Sequence, residues 1–329
     1  MAYITLNKSN FFHNLDIIAK KTSGKDKIAL VLKDNAYGHG LLEVAQMAQE
    51  YGITKAVVKN EDEAKQIEFF FDYILILADY PTSKNEKFRY TINDIDSIGK
   101  FTKGTKVELK IDTGMHRNGI SPHEIQMAKE KIKEQGLILE AVFTHHRSAD
   151  ELTSEFFFQN EIFKSIKKEF TKVRFHSCNS AALFRHADFN EDMARIGIAA
   201  YGCLDLPSVF DDFHLKPVLS VYASKISSRV VKKGNAIGYG ASSIMQDSCT
   251  VSNYDFGYGD GFLRTLSNNY STPKAQKLVG RISMDNSSFI SEEKELLIFD
   301  DARQIAQNAK TISYEVLTSL KENLKRKIV

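Results

Sequence analysis

From about residue 9 to 215 the chain alternates between short apolar runs and windows of helical period. The β-type runs are Lys27–Leu32, Lys55–Val58, Tyr73–Leu77, Phe88–Ile92, Lys106–Ile111, Leu137–Phe143 and Val173–His176. Between them lie amphipathic windows at Leu41–Glu50, Asp62–Phe69, Ile125–Gln135 and Phe156–Phe170. In the third, Ile125, Ala128 and Ile132 recur at helical spacing; in the fourth, Phe158, Ile162, Ile166 and Phe170 mark one apolar face. Ser121-Pro122-His123-Glu124 reads as a capping box with proline at the first helical position. Such repetition predicts a parallel sheet with helices packed outside it. Seven or eight repeats fit a closed (β/α)8 TIM-type barrel, and an open doubly wound sheet is the competing arrangement.

After about Lys216 the pattern changes. Leu219–Ile226, Arg229–Lys232, Thr250–Asn253, Lys277–Ile282 and Leu296–Ile298 are β-type runs separated by Gly, Asn and Ser turns. This predicts a mostly antiparallel β domain closed by a helix over Ser313–Lys325. Tyr3–Leu6 is a further short strand that can pair with that domain. The expected division is a barrel over residues 8–215 and a β domain over 216–329 together with 1–7.

Composition narrows the function classes. The chain has 329 residues, 43% of them hydrophobic, enough for one barrel-sized domain plus a second unit. A formal net charge of +2 gives no electrostatic case for nucleic acid. No apolar run approaches the roughly 18 residues of a membrane span. The start, Met1–Asn7, lacks the basic and apolar segments of a signal peptide. Cys178, Cys203 and Cys249 are odd in number and widely spaced, which fits reduced thiols in a cytoplasmic protein.

In a parallel barrel, chemistry gathers at the C-terminal ends of the strands. The run Lys27–Leu32 delivers Lys33 there, followed by the turn Asp34-Asn35-Ala36-Tyr37-Gly38-His39-Gly40. A partly dehydrated lysine gives up its proton more readily and can act as a Schiff-base nucleophile. Taken alone, the position favours a solvated strand-end lysine. Other strand ends bring Asp112–Arg117, Thr144-His145-His146, His176–Ser180 and Arg195–Ile198 to the same mouth. No glycosidase-like carboxylate pair and no Gly-x-Gly-x-x-Gly fingerprint occurs among them. His145 and His146 are adjacent rather than at a metal-ligand spacing. Asn179-Ser180 also reads as a helix cap, and Arg195, Lys110 and Arg117 as surface charges.

Val31–Gly40 resembles the Lys-x-Asn-Ala-Tyr-Gly-His-Gly signature of alanine racemases, which use pyridoxal phosphate (PLP). Further segments follow the family in order: Lys110–Arg117, Thr144-His145, Asn179–Ala182, Arg195–Gly202, Tyr239-Gly240-Ala241, Gly257–Gly261, Gly280–Asp285 and Ile312–Leu317. The resemblance implies a PLP-bearing barrel, a β domain, and a head-to-tail homodimer whose active sites combine residues of both chains. It places Lys33 on the cofactor as a Schiff base. Tyr37, Asn179, Ser180, the backbone at Gly197 and Ile198, and Tyr314 would surround the phosphate. His145 would lie beside the ring, and Arg195 would donate to the pyridine nitrogen without surrendering its proton.

Racemisation removes a proton from one face of Cα and returns one on the other, so two bases are expected. The resemblance assigns Lys33 to the D-alanine face and Tyr239 of the partner chain to the L-alanine face. A tyrosine base calls for nearby positive charge, here through the His145–Arg195 network. Arg117, the backbone of Met284 and Tyr258 would hold and gate the substrate carboxylate. Lys110 matches a position carbamylated in some members. No metal is implied. Asp34, Asn118 and His146 depart from the usual residues, where alanine, an apolar residue or glycine, and an aromatic or apolar residue are common. Alternative readings are a serine or broad-specificity racemase, or a non-catalytic PLP-binding barrel. The second domain counts against the binding barrel. Zinc-assisted dehydratases need late His and Cys ligands, and the last histidine is His214; related decarboxylases use a late cysteine, and none follows Cys249.

Overall fold

The computed structural model describes residues 1–210 and 213–329. A short strand, β1 (Tyr3–Leu6), precedes the barrel and belongs to the second domain. Eight parallel strands form the first sheet: β2 (Ile28–Val31), β3 (Lys55–Val58), β4 (Tyr73–Ile76), β5 (Phe88–Ile92), β6 (Lys106–Lys110), β7 (Ile138–Phe143), β8 (Arg174–His176) and β9 (Ala194–Ile196). Their order is β8-β7-β6-β5-β4-β3-β2-β9, so sequence neighbours pair and the last strand returns to the first. Strands β8 and β9 share no ladder. The seam is bridged by Asp192 N–H to Phe175 O (3.1 Å) and Arg195 N–H to Cys178 O (2.9 Å). The sheet is therefore a nearly closed barrel, and the open doubly wound alternative falls away. Both faces of β2 and β4 are buried, as strands between a packed interior and outer helices must be.

Outer helices include α1 (Lys8–Thr22), α2 (Leu41–Tyr51), α3 (Glu61–Ile67), α4 (Ile125–Glu134), α5 (Glu155–Lys167) and α6 (Ser180–Arg185). The capping box before α4 is present, opening a short 3-10 turn over Pro122–Glu124. On α5 the expected face is shifted. Phe158 and Ile162 are exposed, and the buried side is Phe156, Gln159, Phe163 and Ile166. Three consecutive phenylalanines leave the helical phase open. It is set by Gln159, whose amide donates to Thr113 Oγ1 (3.0 Å) and His145 O (3.2 Å).

The second domain adds β10 (Leu219–Val231), β11 (Ala236–Ile237), β12 (Ser243–Ile244), β13 (Cys249–Tyr254), β14 (Ser287–Ile290), β15 (Glu295–Phe299) and β16 (Lys325–Ile328). Its main sheet runs β14-β13-β10-β1-β16, with β15 also on β10, and β1 pairs antiparallel with β10. Strands β11 and β12 form a separate two-stranded hairpin with Tyr239 in the segment that joins them. Three expectations are corrected. Leu219–Ile226 and Arg229–Lys232 are one long strand, with a bulge between Lys225 and Ser227 that turns it from β15 toward β13. Lys277–Ile282 is not a strand; it is held by isolated bridges at Lys277 and Leu278. The closing helix is short: α7 (Ala302–Ala309) and α8 (Ser313–Ser319) precede β16, which lies parallel to β1. Pairing with the free edge of β1 outweighs the helical propensity of Lys321–Lys327. No helix among the described residues is long and apolar enough to cross a membrane.

Candidate active site

Lys33 follows β2 and opens a turn of unusual backbone. Asp34, Asn35, Ala36 and Tyr37 all take left-handed conformations, with φ of 53°, 54°, 51° and 51°. Each such L-residue costs about 1–2 kcal/mol, so the turn persists only because its surroundings hold it. Glu63 on α3 does much of this. Its Oε1 accepts from Asp34 N–H (2.6 Å) and its Oε2 from Lys59 N–H (2.8 Å), tying the turn to the end of β3. Asn35 Oδ1 accepts from Leu41 N–H (2.8 Å). The β domain completes the clamp, since Arg326 Nε and Nη2 donate to Gly38 O (3.1 and 2.8 Å). Gly38 (φ 73°) has no room for a side chain, because a Cβ would lie 2.0 Å from Leu317 O.

Around this lysine the strand ends converge. Tyr37 packs on Tyr201 and on Tyr314 of α8, at ring distances of 5.5 and 5.7 Å. Asn179 caps α6 by accepting from Ala182 N–H (2.8 Å). Ser180 Oγ accepts from Gly197 N–H (3.1 Å) and Ala199 N–H (3.3 Å). A Cβ on Gly197 would lie 2.9 Å from Tyr37 Oη, so the backbone of Gly197-Ile198 comes close to that ring only because residue 197 is glycine. Lys33 Nζ is 5.9 Å from the Tyr37 ring centroid. The lysine's side chain is 35% exposed, so the chain alone shields it only in part.

Arg195 is buried at the centre. Its Nη1 donates to His176 Nδ1 (2.5 Å) and His176 O (3.2 Å), its Nη2 to Thr144 O (2.7 Å) and Ser177 O (3.2 Å). Its Nε has no hydrogen-bond partner among the described residues. A guanidinium can only donate, so His176 Nδ1 must be the acceptor and the ring proton sits on Nε2, directed at Glu108 Oε2 (2.8 Å). Burial opposes the Glu108 charge. His176, Arg174 and Tyr73 nevertheless hold the carboxylate below its usual range.

The rest of the mouth is cationic. Burial, followed by Arg195 and Arg117, lowers Lys110 to about 8. Burial and then Arg195, Lys110 and Arg117 keep His145 well below its ordinary value, hence neutral. Arg117 itself is exposed.

Three expected residues lie elsewhere. Tyr239, Tyr258 and Met284 are on the β domain and exposed to 67%, 40% and 55%. Tyr258 and Met284 are neighbours: Tyr258 N–H donates to Ser283 O (3.0 Å) and Gly259 N–H to Met284 O (2.8 Å). A Cβ on Gly240 would lie 3.1 Å from Arg281 Nη1, which puts a guanidinium beside the Tyr239 turn. Glu63, Glu108 and Arg326 escape the sequence reading. Glu108, a charge inside the run Lys106–Ile111, is the one with a visible signal. The partners of Glu63 and Arg326 are set by tertiary packing.

Fold and mouth together define a two-domain β/α-barrel protein with a lysine on a strained turn, ringed by buried donors. The profile of the alanine racemase N-terminal domain matches residues 6–205, and that of the alanine racemase C-terminal domain residues 218–328. The alanine racemase of a Nitratiruptor species is 45% identical, with 99% of each chain covered. The alanine racemase of Clostridium difficile 630 superposes with a TM-score of 0.90 at 27% identity, covering 100% of this chain and 95% of that one. An alanine racemase from Bacillus anthracis, solved with bound L-Ala-P, superposes with a TM-score of 0.88 at 26% identity, covering 100% and 95%. The chain belongs to the alanine racemase family, an isomerase family dependent on pyridoxal phosphate.

Proposed function

We propose that this chain interconverts L- and D-alanine, supplying D-alanine for peptidoglycan, with Lys33 and Tyr239 as the two bases. The observation that carries this reading is the gathering of Lys33, Tyr37, Ser180 and Arg195 at one barrel mouth. Two features there fit the cofactor: the unpartnered Arg195 Nε suits a ring nitrogen, and the glycine-dependent approach of residue 197 to Tyr37 suits a phosphate. Lys33, Tyr37, His145, Asn179, Ser180, Arg195, Gly197, Ile198 and Tyr314 would hold it. Bound there, pyridoxal phosphate withdraws electrons and makes the substrate α-proton removable.

The chain's own residues then divide the work. Lys33 Nζ exchanges a proton with Cα on the D-alanine face. Tyr239 Oη of a second copy does so on the L-alanine face. Arg117 and the Met284 backbone orient the carboxylate, and Tyr258 lines the approach. Lys110 sits among Arg195 and Arg117 as a buried cation that Asp112 offsets only in part. Reaction of its amine with CO2 releases a proton and leaves a carbamate, turning that repulsion into an ion pair with Arg117. Head-to-tail pairing is supported by apolar exposure on the β domain, where Ile226, Val230 and Ile244 are all solvent-facing, as on surfaces that become buried. We place the enzyme in the cytoplasm, on its three free cysteines.

The test is to incubate the purified, PLP-loaded protein with L-alanine, and separately with L-serine, and follow optical rotation. Loss of rotation with alanine, and much slower loss with serine, is expected. A cofactor absorbance band without racemisation would sink the enzyme reading and favour a binding role. Equal rates on both substrates would favour a broad-specificity racemase.

A further inference from the structure

Asp34 departs from the family signature, and its carboxylate is aimed at the lysine it follows. Its Oδ2 lies 3.0 Å from Lys33 Nζ and its Oδ1 3.8 Å from Lys59 Nζ. The other ionisable groups facing this corner are Tyr37 on the same turn and Glu63 on α3. Both Glu63 oxygens are already accepting from backbone amides. One carboxylate thus stands against two ammonium groups, with Lys33 the nearer. Asp34 also has a backbone role, because its φ of 53° is a conformation that Asp, Asn and Gly tolerate better than other residues. The two roles separate cleanly: conformation needs Asp, Asn or Gly, whereas charge needs the carboxylate.

We propose that Asp34 is a positioning residue and counter-ion for Lys33, holding Nζ in place through the ion pair. This rests on the reading of Lys33 as the cofactor lysine. During proton return on the D-alanine face, the proton passes from Nζ to Cα, Nζ becomes a neutral amine, and the Asp34 carboxylate neither gains nor loses a proton. Its effect is to keep the amino group fixed until that transfer. Glu63 and Lys59 set where the carboxylate can sit, by tying the turn to the end of β3 and by competing for Oδ1.

The experiment is a pH titration of the cofactor absorbance band in the PLP-loaded protein, for wild type and for D34N, D34G and D34A. Because the pair is partly exposed, the midpoint should fall by about half a pH unit in all three variants. The pH profile of α-proton exchange into D-alanine should fall with it. A purely conformational role predicts something else: D34N and D34G behave as wild type and D34A alone changes, chiefly in thermal stability. That result, with a normal band, overturns the counter-ion role and leaves the lysine assignment standing. A wild-type protein that forms no band with added PLP overturns both. D34N and D34G are independent ways of removing the charge while keeping the turn, so failure of one to fold leaves the other decisive.

Discussion

The barrel mouth and the outer face of the β domain are built to opposite standards. At the mouth Arg195 is 5% exposed and Lys110 8%, and all but one nitrogen of the Arg195 guanidinium is committed within the chain. On the β domain Tyr239 and Met284 stand largely in solvent, as do the apolar Ile226, Val230 and Ile244 of the same domain. The mouth is preorganised, and its strain and its buried charges are held by neighbours that pack against them. The outer face shows the reverse, chemistry-bearing residues with nothing yet packed on them. On the proposed reading, one chain carries two halves of a site, a packed one at the mouth and an exposed one on the β domain. Closing the mouth with the outer face of a second copy would exclude water from Lys33, which the single chain leaves a third exposed.

The sharpest way to break that comparison is complementation. Lys33→Ala is expected to abolish the cofactor band and lower racemisation by about 10⁴-fold or more. Tyr239→Phe should keep the band and lower proton removal from L-alanine by about 10²–10⁴-fold, with D-alanine exchange less affected. Co-expressed in one cell, the two inactive chains form mixed dimers in which one site carries both lesions and the other carries none. Activity should return to about a quarter of wild type, as random pairing of a two-fold dimer requires. If the mixture stays inactive while mass spectrometry shows mixed dimers, the halves are not shared between chains.

A smaller effect probes the mouth alone. The folded Lys110 loses its proton at about 8, whereas an unfolded lysine keeps its proton to about 10.5. Between those values the unfolded chain binds more protons, so stability rises with pH across that window and the full penalty applies below it. Lys110→Gln should therefore be more stable than CO2-free wild type at pH 7 by about 1–3 kcal/mol and should lose most of that rise. Bicarbonate should raise the wild-type midpoint in urea and leave K110Q unmoved. A bicarbonate effect of equal size on both proteins would remove carbamylation from the account.

How much of this is legible in the sequence follows from how local each cause is. Barrel strands buried on both faces write continuous apolar runs, so seven of the eight can be read directly. The eighth, Ala194–Ile196, is as short as β8 and has Arg195 at its centre, which interrupts the apolar pattern. Patterning misplaces the α5 face because a buried glutamine, bonded to Thr113 and His145, sets the phase, and hydrophobicity gives a glutamine no weight. The closing helix reads on to Lys325, past its end at Ser319, because the residues after Ser319 suit either state and the pairing of Lys325–Ile328 with β1 is set by tertiary contact. The lysine turn is visible as polar and glycine-bearing. Its left-handed backbone is not, since it depends on Glu63 from α3 and Arg326 from the far end of the chain. The exposure of Tyr239 is likewise invisible, although its assignment to a second copy needs no more than its motif.

The finest test concerns a flaw on the satisfied side. His146 follows His145 and is 2% exposed, yet neither ring nitrogen has a partner among the described residues. Phe156 packs against it at 4.9 Å. Burial, reinforced by His186, Arg195 and Arg185 against the pull of Glu191, pushes its pKa down to about 3. The ring is therefore neutral in the fold and takes up a proton between about 3 and 6.5 only on unfolding. Stability consequently drops as pH falls through that window. His146→Phe removes the unpaired nitrogens and keeps a ring against Phe156, so it should gain about 1–2 kcal/mol at pH 7. The gain should widen toward pH 4, because the substituted ring has no proton to bind in the unfolded chain. Urea unfolding at both pH values reads it. A loss of stability instead would mean that those nitrogens are satisfied by water or by a second copy, and the barrel half would then be as unfinished as the β-domain face opposite it.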